Sequence, residues 1–265
     1  MVFMAQVIFA LMCIAVTFVG AICGVGGGVI LKPVLDATSA YSVEQINLLC
    51  GVTVLSMTLA TFFSSRDVRS NLKGARMALI LLGATVGGML GKGMFSLLIA
   101  QMRDTKLIGM IQNIVLLLLT VGTLWYEMNR WKIRTKYVEK WWAVVLVSLS
   151  LGMVSTFLGI GGGPFNLIVL IHCFSMETSV AITSSLMIIL FSQGVSFAET
   201  LINGQLGIVP VDMLIVSAVS GVLGGLIGRF ASGKMDEGQI DRMFLGLLTV
   251  IILICAANAV KFATG

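Results

Sequence analysis

Apolar residues run along this chain in blocks of about twenty, at roughly 3–22, 43–64, 77–99, 107–125, 141–158, 178–198, 208–228 and 243–260. About twenty residues of helix, at 1.5 Å each, cross the ~30 Å of hydrocarbon in a bilayer. Each block is therefore predicted to be a membrane-crossing helix. Two shorter apolar runs, roughly 29–35 and 164–173, are too short to cross alone. Each follows a glycine run: Gly24-Val25-Gly26-Gly27-Gly28 and Gly159-Ile160-Gly161-Gly162-Gly163. Glycine accepts positive φ and leaves the backbone without side-chain cover, so such a run ends a helix and bares main-chain N–H groups. Within a bilayer that exposure is tolerated only beside protein, water or a ligand.

The two runs, 135 residues apart, belong to a longer repeat. Ser42-Val43-Glu44 returns as Ser175-Met176-Glu177, Gly87-Gly88-Met89-Leu90-Gly91-Lys92 as Gly224-Gly225-Leu226-Ile227-Gly228-Arg229, and Lys106-Leu107 as Arg242-Met243, at offsets of 133, 137 and 136. The expected fold is an all-α integral membrane protein of two inverted repeats of about four helical segments each. The first segment of each repeat is broken at its glycine run. Residues 1–125 form the first repeat, 126–140 a basic linker with five Lys or Arg, and 141–265 the second repeat.

Composition agrees, with 58% apolar and 11% charged residues and a mean hydropathy of +1.05, far from soluble domains of this size. The net charge of +5 sits in loops beside the spans, so it reports topology rather than nucleic-acid binding. The linker is expected to be cytoplasmic. If the first segment of each half crosses fully, ten basic residues fall inside and six outside. If each first segment and its break form a hairpin returning to its starting side, the split is twelve against four. The hairpin arrangement also gives the loop after the second helix of the first half four cations and its counterpart, 200–207, none, the opposite bias that inverted repeats require. The first 22 residues lack a basic n-region and read as retained. Five dispersed cysteines, Cys13, Cys23, Cys50, Cys173 and Cys255, contain no CxxC pair and suit neither a disulfide framework nor structural zinc.

Restarting helices after the glycine runs would point unpaired N–H groups and positive dipole ends at the breaks. Pro164 suits the first helical position. Two such N-termini meeting at the midplane make an anion site without a formal cation. The candidate substrate-binding set is Gly24, Gly26, Gly27, Gly28, Lys32, Thr53, Gly159, Gly161, Gly162, Gly163, Asn166, Ser184, Ser185 and Gln193. Thr53, Ser184 and Ser185 stand at mid-depth in the second helix of each half; they either donate to a bound oxyanion or bond the preceding turn. Gln112 and Asn113 join Asn166 and Gln193 as intramembrane polar groups that serve either a site or interhelical contact. Lys32 either attracts the anion or snorkels to an interface. Asp36, Glu44, Glu177, Glu199 and Asp212 fall near segment ends, so no buried proton relay is expected. The rows Gly83, Gly87, Gly91 and Gly221, Gly224, Gly228 read as helix-packing faces. Neither glycine run follows a strand, which excludes a dinucleotide fingerprint, and no ATP-binding motif, cofactor site or metal cluster is visible.

On the GxGGG runs with their short following helices, the Thr53 and Ser184-Ser185 helices and the GGxxG[KR] helices, nearly the whole chain resembles the TauE/SafE family of sulfite and organosulfonate exporters. That family's repeat has a proline about five residues after its glycine cluster. Pro33 matches; the second half has Ile168 there and Pro164 earlier, so the two halves are not equivalent. The resemblance implies a multi-pass inner-membrane permease for small sulfur-containing anions such as sulfite. The expected partners are that anion and the lipid bilayer, with room for a homo-oligomer. The alternatives are a non-transporting membrane subunit or sensor, a transporter of a different small organic anion, and a membrane enzyme; the last lacks a nucleophile–base pair at membrane depth.

Overall fold

The structure is a computed structural model describing residues 2–39, 41–64, 74–102, 105–135 and 137–264. Ten α-helices follow the apolar blocks: α1 Val2–Cys23, α2 Gly28–Thr38, α3 Val43–Ser64, α4 Ala75–Gln101, α5 Thr105–Asn129, α6 Trp141–Phe157, α7 Pro164–Phe174, α8 Thr178–Ile202, α9 Val211–Ser232 and α10 Glu237–Thr264. Seven of them are long and apolar enough to cross a membrane; α6, α2 and α7, of 17, 11 and 11 residues, are shorter. No strand occurs among the described residues. Reciprocal capping boxes start two of the long helices. The Ser42 and Asp236 N–H groups donate to Gln45 and Gln239 Oε1, while the Gln45 and Gln239 N–H groups donate to Ser42 Oγ and Asp236 Oδ1.

Small residues decide which helices touch. On α4, a Cβ added at Gly83, Gly87 or Gly91 would strike the backbone of α6 at Val145, Leu149 and Met153 respectively. On α9, one at Gly224 would lie 2.6 Å from Ile14 O of α1, and one at Gly228 would lie 2.5 Å from Phe18 O. Register rises together along both pairs, so α4 runs parallel to α6 and α9 parallel to α1. Likewise Gly88 packs on Ser192 of α8 and Gly225 on Met57 of α3; a Cβ on either glycine would lie 2.9 Å from the facing carbonyl oxygen. These contacts come in pairs, with every partner about 135 to 137 residues from its counterpart. At the centre, α3 and α8 cross antiparallel. Gly51 lies beside Gln193, while Glu44, early in α3, and Thr200, late in α8, line one cavity.

Polar contacts mark two ends of the bundle. At one, Gln6 of α1 donates to Asp212, Gln45 Nε2 to Ile208 O at 2.7 Å, and Lys261 Nζ to Ala37 O at 2.8 Å. This end collects the start of α1, the end of α2 and the end of α10. The other end belongs to the linker: Val138 N donates to Cys173 O (2.9 Å) and Arg130 to Thr178 Oγ1 (2.8 Å), while Arg76 donates to Val138 O and stacks on Tyr137. Arg66, Arg69, Lys73 and Lys136, cations that enter the count for sidedness, lie outside the described residues.

Large apolar side chains cover the outside, among them Leu82, Leu97, Leu118, Ile215 and Leu253, each 58–67% exposed. An apolar exterior of this kind suits lipid rather than water. Trp125, Trp131, Trp141 and Trp142, all the tryptophans of the chain, are exposed at the linker end, the position of an interfacial aromatic girdle.

Candidate functional site

The chain leaves α1 at Cys23 and re-enters helix at Gly28; it leaves α6 at Phe157 and re-enters at Pro164. Both intervening turns sit in the buried centre. Gly24 (φ +68°) and Gly159 (φ +65°) make the equivalent left-handed step out of their helices, a conformation that costs an L side chain about 1–2 kcal/mol. Gly161 and Gly162 also have positive φ.

The two turns pack on each other. A Cβ at Gly26 would lie 3.1 Å from Ile160 O and 3.2 Å from Gly162 O, and one at Gly28 would strike Ile160 O. Gly27, the residue before α2, lies against Thr17. Protein backbone thus fills the space between the two helix restarts, where an anion held by both N-termini would have had to sit.

A polar cavity opens instead beside the second turn. Its narrow part, ≈ 30 Å³, is lined by Gly159, Asn47, Gly51, Thr156, Gln193 and Ser196. A wider vestibule, ≈ 220 Å³, continues past Glu44, Ser96 and Gln205 to Ile208, at the end of the bundle opposite the linker. Both spaces share Leu48, Lys92, Phe95 and Thr200 as walls, which puts Lys92 at the neck. No ion pair among the described residues involves Lys92; its Nζ is 5.9 Å from the Phe95 ring centre. Asn47 Nδ2 and Oδ1 and Gln193 Nε2 are buried without a protein partner. A buried amide left that way costs about 1–3 kcal/mol, so these groups are set to meet a polar solute or water. The Thr156 hydroxyl, by contrast, is committed to Gly152 O at 2.9 Å and Gly88 O at 3.0 Å.

The two turns differ in what surrounds them. Gly159 rests on the Asn47 amide, and Asn166, fully buried with both amide atoms unpartnered, stands beside Gly162. Gly24 rests on Ile182, the residue 135 after Asn47, and the counterparts of Asn166 and Gln193 at that offset are Leu31 and Thr58. Thr58 bonds its own helix at Val54 O, 3.0 Å.

Of the residues proposed from sequence, Gly159 and Gln193 line the cavity. Gly161 lies against Val54, Gly162 against Ile189, and Gly163 precedes α7. Ser184 and Ser185 are fully buried on α8 with unpartnered hydroxyls, but line neither space. Thr53 donates to Leu49 O at 2.7 Å, the back-bonded alternative. Lys32 takes neither expected role. It is 2% exposed, and its Nζ lies 3.5 Å from Asp36 Oδ2 one turn along α2. Asp36 also accepts from Asn113 Nδ2 (2.8 Å), while Asn258 Nδ2 donates to Pro33 O (2.7 Å) and Asn113 Oδ1 (3.3 Å). Asp36 is therefore a buried partner rather than a segment-end charge, held because a buried ammonium needs an anion. The i, i+4 spacing was the available signal. Gln112 ties α5 to Phe157 O at 2.6 Å.

Sequence reasoning did not select Lys92, Asn47, Thr156 or Ser196. Lys92 closes the repeated GGxxG[KR] motif, and that recurrence of a cation was the signal. Asn47 carried none, because its counterpart is isoleucine.

A family model described as Sulfite exporter TauE/SafE matches residues 8–254 of the chain, whereas no curated protein and no solved structure matches.

Proposed function

From membership of the TauE/SafE sulfite exporter family, to which the chain belongs, we propose that it carries small sulfur oxyanions such as sulfite, or short organosulfonates, across the inner membrane. The anion binds off-centre, at the second glycine turn. The observation that carries this reading is the coincidence, in one cavity, of unpartnered Asn47 and Gln193 amides, the bare backbone at Gly159 and Lys92 at the neck. Amide donors and an ammonium suit an oxyanion, and main-chain N–H groups at an unwound turn suit it equally. Asn166, Ser184, Ser185 and Gly161 to Gly163 form the wall behind it, and the Gly24 to Gly28 turn is the backing on which the site is built.

Residues 1–125 and 141–265 act as inverted repeats joined by the cytoplasmic linker 126–140. The paired contacts, the parallel α4/α6 and α1/α9 pairs and the antiparallel α3/α8 crossing support that arrangement, which places the symmetry axis in the membrane plane.

Purified protein in liposomes should take up labelled sulfite. Asn47→Ala and Gln193→Ala should each lower uptake at limiting sulfite about tenfold, and Gly159→Leu should abolish it. Full uptake by all three variants would overturn the site. Uptake of a carboxylate but not of sulfite would reassign the substrate.

A further inference from the structure

The cavity at Lys92 has a counterpart. At the linker end, Ser179, Ile182, Thr183, Arg229, Ser232 and Glu237 line a recess of ≈ 470 Å³. Arg229 stands 137 residues after Lys92, Ile182 stands 135 after Asn47, and Ser232 stands 137 after Phe95. Equivalent positions therefore build both recesses, at opposite ends of the bundle. Each has one cation on the third long helix of its half, one residue beyond a glycine face, and each has a carboxylate in its wall: Glu44 beside Lys92, Glu237 beside Arg229.

They differ in depth. On the Lys92 side the path runs from the vestibule past the ammonium to Gly159, and the residue on that glycine is an amide. On the Arg229 side Ile182, 5% exposed, is seated on Gly24; its Cγ2 is 2.8 Å from where a Cβ on that glycine would be. A branched hydrocarbon therefore separates the Arg229 recess from the glycine turns, where the other side presents a hydrogen-bonding group.

We propose that Lys92 and Arg229 are the two anion-receiving cations of one transport path, serving opposite membrane faces, and that this conformation joins the Lys92 mouth to the binding site while Ile182 on Gly24 seals the Arg229 mouth. The inference rests on the proposed function and adds the residues that admit and release the anion. An anion bound at Gly159 leaves toward Arg229 only when α8 withdraws Ile182 from Gly24. The same displacement of α8 against α3 carries Gln193 away from Asn47 and dismantles the first mouth. One site thus meets two faces in turn, with a cation at each to offset the loss of hydration.

Liposomes bearing the protein in one orientation distinguish the roles. The sulfite concentration giving half-maximal uptake is measured from each face. Lys92→Gln should raise it about tenfold or more from the face carrying the α10 C-terminus and leave the linker face within about twofold; Arg229→Gln should do the reverse. Lys92→Arg and Arg229→Lys, which keep the charge, should recover most of the loss, an outcome that a merely packing role would not give. Equal shifts on both faces, or none, with wild-type protein active would overturn the pairing of mouths. Wild-type protein that moves no sulfite would instead defeat the proposed function. If a Gln variant fails to fold, as seen by its melting temperature, swapped charges decide between the same outcomes: Lys92→Glu and Arg229→Glu should abolish uptake, and any retained uptake would overturn the proposal.

Discussion

Lys32 and Asp36 show what a single spacing encodes and what it omits. Four residues apart on a helix, the pair is legible as an ion pair; its nearly complete burial, 2% exposure for each side chain, depends on α5 and α10 covering α2 through Asn113 and Asn258, contacts 77 and more residues away in sequence. Removing one partner strands the other, so Asp36→Leu and Lys32→Leu should each destabilise the protein by about 3–5 kcal/mol, while the double Leu variant should recover most of that loss. Thermal unfolding in detergent measures all three. Independent, additive losses would show that the pair is not coupled. Hydroxyls were less legible than amides. Thr53 can satisfy itself within its own helix turn and does, whereas Gln193 and Asn47, with longer amides, do not fold back in that way and are left facing the cavity.

The helices themselves were close to fully legible, since apolar length alone fixes them: the runs at 43–64 and 178–198 are Val43–Ser64 and Thr178–Ile202. The short runs after the glycines are helices of 11 residues each. What sequence could not show is that the two turns pack backbone to backbone, because that approach is set by α3 and α8 on either side. The glycine rows were readable as packing faces and behave so. Gly87→Val on α4 and Gly224→Val on α9 should each cost at least about 1–3 kcal/mol, since the new side chain meets a neighbouring helix with no room to yield. Gly122 in α5 would have nothing within 4 Å of an added Cβ, and Gly122→Ala should stabilise by up to about 1 kcal/mol through better helix propensity. Melting curves showing equal effects at all three positions would refute the packing assignment.

At the scale of the whole molecule, the contacts place the start of α1 and the end of α10 at the end of the bundle away from the linker. Single cysteines at Met1 and Gly265 should therefore react with an impermeant thiol reagent from the periplasmic side, and one at Arg134 only after the membrane is opened; a shielded Gly265 would overturn the inverted arrangement. The doubling of the chain was visible in four short anchors, but the departure of the halves from equivalence was not. It resides in single exchanges, Asn47 for Ile182 and Gln193 for Thr58, that leave hydropathy and spacing intact. The tryptophans carry a different asymmetry. With every indole on the linker rim, the protein is moored in one leaflet and merely immersed in the other. A bilayer that thins or swells transmits its mismatch to the unmoored rim, where the vestibule has its opening, so acyl-chain length becomes a mechanical input to how readily solute enters.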